Sequence, residues 1–154
     1  LSHIQATSHS HAQMTIITGR RRIGKTQLLL QATHNQPTLY FFVARKAEAD
    51  LIHDFQEITT QTLGIPIYGN MTSFAELFRF LMEYSAQHPF NLIIDEFQEF
   101  YNIRPDVFSD MQNLWDEYRQ ETKINLVISG SVYSLMQKIF TDHGEPLFGR
   151  ADNK

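Results

Sequence analysis

The chain has 154 residues, of which 42% are hydrophobic and 19% are charged, and these proportions are typical of one globular domain with a hydrophobic core. It contains no cysteine, which excludes a disulfide framework and fits a reducing compartment, so we expect a cytoplasmic protein. The formal net charge of -4 disfavours a broadly basic surface for nucleic acid. No apolar run approaches the roughly 20 residues of a membrane-spanning helix, and we expect no contact with a membrane.

Both ends of the sequence look like cuts in a longer protein. The chain begins at Leu1 and stops at Lys154 without a closing element. Residues 1–13 are polar, and His9 and His11 have no third ligand at a suitable spacing, so we expect a solvated lead-in and no metal site there. One core is predicted over residues 14–154, incomplete at its C-terminus.

Short apolar strands alternate with amphipathic helices from Met14 onward. In chain order we predict a strand at Met14–Thr18, a helix at Lys25–Thr33, a strand at Thr38–Val43, helices at Ala47–Leu63 and Ser73–Ala86, a strand at Asn91–Asp95, a helix at Asp106–Glu121, a strand at Ile124–Ser129 and a helix at Ser131–Phe140. Strands that are apolar along their whole length are typical of a parallel sheet with helices on both faces. The predicted fold is therefore a three-layer α/β/α domain.

A glycine-rich segment lies between the first strand and the first helix. Gly19–Thr26 (GRRRIGKT) fits the pattern G-x-x-x-x-G-K-[ST], in which backbone N–H groups and the start of a helix surround phosphate oxygens. Lys25 would reach the β- and γ-phosphates, and the Thr26 hydroxyl would bind Mg²⁺. The predicted nucleotide-binding residues are Gly19, Arg20, Arg21, Arg22, Ile23, Gly24, Lys25, Thr26 and Gln27. The three arginines either help to hold phosphate or form a solvated basic turn.

Two carboxylates end the third predicted strand. Asp95 at the carboxyl end of that strand would face the crevice of an open α/β sheet, where it can help to hold Mg²⁺. Glu96 can polarise a water for attack on the γ-phosphate, which a protein that only stores nucleotide would not need. The alternative is that both residues begin a solvated loop. Gln98 and Glu99 could assist the water, but we expect surface positions for both.

The fourth predicted strand also has a polar end, at Ser129–Ser131. If this strand lies between the first and third strands, Ser129 could sense the γ-phosphate or steer the attacking water. Ser131, in turn, could simply cap the next helix.

Four motifs in this order, GRRRIGKT, LIIDEFQ, ISGS and PLFGR, resemble the archaeal-type ATPase family, a branch of the AAA+/STAND P-loop ATPases. The resemblance covers Met14 to Arg150. It implies a sheet of order 5-1-4-3-2 with the fifth strand outside this segment, ATP and Mg²⁺ as cofactors, Asp95 at the metal and Glu96 at the catalytic water. It departs at Ser129, where many AAA+ proteins have asparagine.

The resemblance also implies further parts and partners. Arg150 falls where AAA+ proteins carry an arginine finger for a neighbouring subunit, although it could equally be an arginine at the end of a loop. A homo-oligomer or a partner subunit is therefore possible. A lid, and a DNA-binding or nuclease-like domain through which nucleic acid could be bound, would lie beyond Lys154, and the recognition of the base would draw on those parts.

We therefore predict an enzyme, a P-loop ATPase that binds ATP·Mg²⁺ and hydrolyses it to ADP and phosphate. Lys25, Glu96, Ser129 and Arg150 are its candidate catalytic residues, and Thr26 and Asp95 its candidate metal ligands. One alternative is a nucleotide-gated switch that controls an attached effector domain with little turnover. Another is a small-molecule kinase, which would transfer the phosphate to an acceptor.

Overall fold

The computed structural model describes residues 11–18, 36–67 and 69–130. Four parallel strands form one sheet in the order β1-β4-β3-β2. The strands are β1 Gln13–Thr18, β2 Thr38–Phe42, β3 Asn91–Asp95 and β4 Asn125–Gly130. This arrangement confirms the predicted α/β class and the order 1-4-3-2 within it. The predicted segment at Ile124–Ser129 begins and ends one residue later in the structure.

The strand register places the carboxyl ends of the strands along one edge of the sheet. Thr18 at the end of β1 pairs with Gly130 at the end of β4. On the other side of β4, Ile94 pairs with Ile128, so Asp95 and Ser129 each come one residue after this pair. Phe42 at the end of β2 pairs with Asp95. The end of β3 is therefore separated from the end of β1 by a single strand.

Helices follow the strands in the described part of the chain. They are α1 Glu48–Leu63, α2 Phe74–Ser85, α3 Phe100–Ile103 and α4 Asp106–Tyr118, and a 3₁₀ turn covers Phe97–Glu99. The short helix and the 3₁₀ turn were not predicted from the sequence. None of the described helices is long and apolar enough to cross a membrane.

Local hydrogen bonds explain where two helices begin and end. The Ser73 side chain accepts a hydrogen bond from the backbone N–H of Glu76 at 3.2 Å, so Ser73 is the N-cap of α2. The sequence prediction that α4 continues to Glu121 is wrong. The Thr122 hydroxyl donates to the Tyr118 carbonyl at 2.9 Å and so satisfies a carbonyl at the end of the helix.

Side chains along each strand alternate between the two faces of the sheet. One face packs with α1, α2 and α4 in a single buried cluster, which is the main hydrophobic core. Aromatic rings fill much of it: the rings of Phe41 and Phe55 stack with centroids 4.2 Å apart, and Trp115 is fully buried. These aromatic side chains therefore belong to the core.

The second face of the sheet is also buried where the structure describes it. Ile93 and Val127 have no exposed surface, and Ile17 and Tyr40 pack against them. The helices predicted at Lys25–Thr33 and Ser131–Phe140 lie outside the described residues.

Candidate functional site

The two predicted carboxylates lie at the carboxyl end of β3 and are buried. Asp95 is 9% exposed and Glu96 is 5% exposed. This burial excludes the alternative that the two residues begin a solvated loop. A buried carboxylate loses hydration and is kept in proteins where it has partners or a chemical task.

Hydrogen bonds hold the Asp95 carboxylate at both oxygen atoms. The backbone N–H of Glu96 donates to Oδ1 at 2.9 Å. The hydroxyl of Tyr40, on the neighbouring strand β2, donates to Oδ2. These two hydrogen bonds fix the orientation of the carboxylate.

Glu96 has an unusual backbone conformation. With φ 56° and ψ 41° it lies in the left-handed region, and no other non-glycine residue among those described has a positive φ. Such a conformation stores on the order of 1 kcal/mol or more and is most common at functional sites. It turns the chain sharply from β3 into the 3₁₀ turn, whose first hydrogen bond runs from the Glu99 N–H to the Glu96 carbonyl at 3.0 Å.

The turn after Glu96 is buried, so the expected surface positions of Gln98 and Glu99 are wrong. Gln98 is completely buried and Glu99 is 8% exposed. The neighbouring aromatic residues cause this: the rings of Phe97 and Phe100 contact each other in the core, with centroids 5.8 Å apart, and draw the turn inward. Neither polar atom of the Gln98 amide has a hydrogen-bond partner in the described part of the chain.

Ser129 lies on β4, between the strand that precedes the glycine-rich segment and the strand that carries Asp95. This is the position on which its predicted role depends. Its side chain is fully buried, and its hydroxyl forms no hydrogen bond with the residues that the structure describes. The register places Ser129 and Asp95 on the same face of neighbouring strands. A buried hydroxyl without a partner is free to bind a ligand atom.

The remaining predicted site residues lie outside the described residues. These are Gly19–Gln27, Ser131 and Arg150. Thr18, which directly precedes Gly19 in the sequence, ends β1 at the same edge as Asp95. Two strand spacings separate β1 from β3, which is about 10 Å.

The side chains at this edge suit a magnesium ion. Mg²⁺ is usually held by one or two carboxylates together with substrate phosphates and water, and it requires oxygen ligands. Asp95 supplies one oriented carboxylate to such a site. No group of three or more His, Asp or Glu side chains capable of caging a metal occurs within residues 11–18, 36–67 and 69–130. The donor set therefore fits an ion that is shared with a phosphate ligand.

The shifted pKa values of the described residues lie elsewhere, on α2 and α4. Burial, followed by the charge of Asp106, raises the pKa of Asp110. A hydrogen bond to Glu83 raises the pKa of Tyr118, and a hydrogen bond to Tyr118 raises the pKa of Arg79. Arg79, Glu83 and Asp110 line an open groove of about 510 Å³, and Tyr118 binds both Arg79 and Glu83. The shifts have local causes, and they do not indicate a second catalytic site.

Tyr40 is not among the site residues predicted from the sequence. Its strand, TLYFF, is apolar apart from Thr38 and the tyrosine hydroxyl, which is a weak signal. Only the pairing of β2 with β3 brings that hydroxyl to Asp95.

Comparisons with known proteins agree with this architecture. A protein-family model described as an AAA domain matches residues 11–153. An uncharacterized protein of Methanocaldococcus jannaschii is 30% identical over 138 residues, which make up 90% of this chain and 29% of that protein. The chain thus spans less than a third of this curated relative.

Two solved structures share the fold. The Walker-type ATPase PABY2304 of Pyrococcus abyssi superposes with a TM-score of 0.72 at 20% identity, over 99% of this chain and 51% of that chain. Cdc6p of Pyrobaculum aerophilum superposes with a TM-score of 0.60 at 18% identity, over 93% of this chain and 39% of that chain.

Proposed function

The chain belongs to the AAA domain family and has the fold of a P-loop ATPase, and from this premise we propose that it binds ATP with Mg²⁺ and hydrolyses it to ADP and phosphate. One observation carries the proposal. Two buried carboxylates, Asp95 and Glu96, lie at the end of β3. A single strand separates β3 from β1, and the GRRRIGKT segment directly follows Thr18, the last residue of β1. A nucleoside-triphosphate site combines a phosphate-binding segment with a strand that ends in carboxylates, both at the same edge of a sheet.

The proposed binding residues divide the task between phosphate and metal. Gly19–Gln27 would bind the phosphates through backbone N–H groups, and Lys25 would neutralise charge on the β- and γ-phosphates. The Thr26 hydroxyl and Asp95 would hold Mg²⁺. When bound, the ion would stabilise the negative charge that develops on the phosphate oxygens during transfer.

Glu96 is the proposed general base. Its carboxylate would accept a proton from a water whose oxygen attacks the γ-phosphorus, while the bond from that phosphorus to the bridging oxygen of ADP breaks. The burial of Glu96 and its fixed turn support this role, because a base acts best when it is held in one orientation. Ser129 would steer the water or contact the γ-phosphate, and Arg150 would act as an arginine finger, in the same or a neighbouring subunit.

A nucleotide-gated switch is the second candidate. The chain covers only 29% of its curated relative, 51% of the Pyrococcus ATPase and 39% of Cdc6p, so each of those proteins has large regions outside the shared segment. In such a protein, ATP binding at this edge of the sheet would control an attached DNA-binding or nuclease-like domain, and hydrolysis would only reset it.

Steady-state product analysis with the full-length protein distinguishes these functions. Continued Mg²⁺-dependent release of ADP and free phosphate supports hydrolysis. Saturable ATP binding with no more than one turnover per protein favours the switch. A phosphorylated acceptor in place of free phosphate would contradict both and indicate a kinase.

A further inference from the structure

The carboxylate of Asp95 receives a hydrogen bond from outside its own strand. The Tyr40 hydroxyl on β2 donates to Oδ2, while the backbone of Glu96 donates to Oδ1. We propose that Tyr40 is a positioning residue that fixes the Asp95 carboxylate in the orientation that binds Mg²⁺ with ATP. This inference rests on the proposed function and assigns a role to a residue of β2.

The strand pairing explains how the hydroxyl reaches the carboxylate. Tyr40 pairs with Ile93, two residues before Asp95 on β3, and therefore lies on the same face as Asp95. Diagonal neighbours on one face of a sheet are within reach of an aromatic side chain. Phe42 is the direct partner of Asp95, but its side chain has no polar atom, and the residue is 47% exposed.

Packing holds the Tyr40 ring in place. It lies against the cluster formed by Ile93 and Val127, both of which are fully buried. A tyrosine ring has two side-chain dihedrals, so contact with a buried cluster leaves its hydroxyl little freedom. The hydroxyl thus acts as a fixed donor for Oδ2, and a rotation of the Asp95 carboxylate would break the hydrogen bonds from Tyr40 and from the Glu96 backbone.

The hydrogen bond is compatible with metal binding. A carboxylate oxygen has about two lone-pair positions, so the hydrogen bond from Tyr40 does not by itself exclude a cation, or a water bound to it, at Oδ2. Groups that orient metal ligands in this way typically contribute about 10–100-fold to metal affinity. If Tyr40 instead competed with the ion for Oδ2, its removal would strengthen Mg²⁺ binding, and the two possibilities are therefore separable.

The test is the Mg²⁺ dependence of ATP binding by the Tyr40→Phe protein. This variant keeps the ring and removes only the hydroxyl. Calorimetry gives the ATP Kd in EDTA and in saturating Mg²⁺, and a Mg²⁺ titration at fixed ATP gives the midpoint. We expect a Mg²⁺ midpoint about 10-fold or more above that of the wild type. The Kd in EDTA should stay within about twofold, because the phosphate-binding residues are unchanged.

Two controls assign the effect to the contact. Tyr84→Phe removes a hydroxyl from α2, where the ring stacks on His88 at 4.5 Å, and should leave the Mg²⁺ midpoint unchanged. In an Asp95→Asn background, Tyr40→Phe should have no further effect on the midpoint, since the carboxylate that it positions is absent.

The outcomes separate this inference from the proposed function. An unchanged or lower Mg²⁺ midpoint in Tyr40→Phe overturns the positioning role, as does an equal loss of ATP affinity with and without Mg²⁺. A wild-type protein that binds no ATP, or binds it independently of Mg²⁺, overturns the proposed function itself.

Discussion

The guanidinium of Arg45 donates through Nε to Oε1 of Glu99 at 2.8 Å, and this contact joins the segment after β2 to the turn after β3. The Arg45 side chain is 80% exposed, whereas that of Glu99 is 11% exposed. An exposed cation therefore compensates a carboxylate that is mostly out of water. Because Glu99 closes the turn that begins at Glu96, the pair also fixes the segment that carries the proposed base.

We expect Arg45→Met to destabilise the protein and to reduce its turnover. The substitution leaves the Glu99 carboxylate without its cation, which costs about 1–2 kcal/mol for a partly screened pair. Chemical denaturation measures the free energy of unfolding, and phosphate release measures the turnover.

Lys46→Met is the matched control for this substitution. The Lys46–Asp54 pair involves the residue after Arg45, but its two side chains are 40% and 46% exposed, so neither charge is buried. We expect a change within about 0.5 kcal/mol. Equal destabilisation by the two substitutions would show that the Arg45–Glu99 contact contributes no more to stability than the Lys46–Asp54 pair.

Gln98→Met should make the protein more stable and less active. The Gln98 amide is fully buried and forms no hydrogen bond with the described residues, so an apolar side chain of similar shape removes an unsatisfied polar group. We expect an increase of about 1–2 kcal/mol in the free energy of unfolding. The turnover should fall, because we expect the amide, two residues from Glu96, to help to position the attacking water.

Gln61→Met on the exposed surface of α1 controls for the change of residue type. Its effect on stability should be within about 0.5 kcal/mol. A less stable Gln98→Met protein would mean that the amide has a binding partner that this account omits.

Glu96→Gln should separate binding from hydrolysis. The amide is nearly the same size as the carboxylate but cannot take a proton from water, so we expect turnover to fall about 100-fold or more. The ATP Kd should stay within about twofold. Phosphate release and calorimetry on the same sample give both numbers, with Glu121→Gln, at an exposed position, as the control. Turnover equal to that of the wild type would remove Glu96 from the mechanism.

We expect the deprotonation of Asp110 to lower the stability of the protein as the pH rises. Burial, and then the charge of Asp106, raises its folded-state pKa above the ordinary value of 3.8. A carboxyl with a raised pKa contributes its full stability below the unfolded-state pKa and loses it as the pH rises through the folded-state pKa. Asp110→Asn should therefore have a higher Tm than the wild type at pH 7 and a similar Tm at pH 3.

Thermal unfolding across this range checks the sign for Asp110. The matched substitution Glu121→Gln, at an exposed position, should not show the same gain at pH 7. A wild-type protein that is more stable than Asp110→Asn at neutral pH would contradict the assignment.

Local patterns predicted the strands and long helices of the described region, but they could not predict how the strands place polar groups together. β3 and β4 are apolar runs that end in polar residues, and this alone located Asp95 and Ser129. The contact from Tyr40 depends on the register of β2 against β3, which pairs Tyr40 with Ile93 and which the predicted strand order does not give. Similarly, FQE after Glu96 looks like a surface turn until the core contacts of Phe97 and Phe100 are known.

Calorimetric titration of ATP with Mg²⁺ into the wild-type and Lys25→Ala proteins tests the central claim most directly. We expect saturable binding to the wild type and none to Lys25→Ala, because the phosphates would lose the cation of the glycine-rich segment. Lys46→Met, which removes a lysine elsewhere on the surface, should bind ATP like the wild type. No heat of binding with the wild-type protein, or equal affinity in Lys25→Ala, would contradict the account.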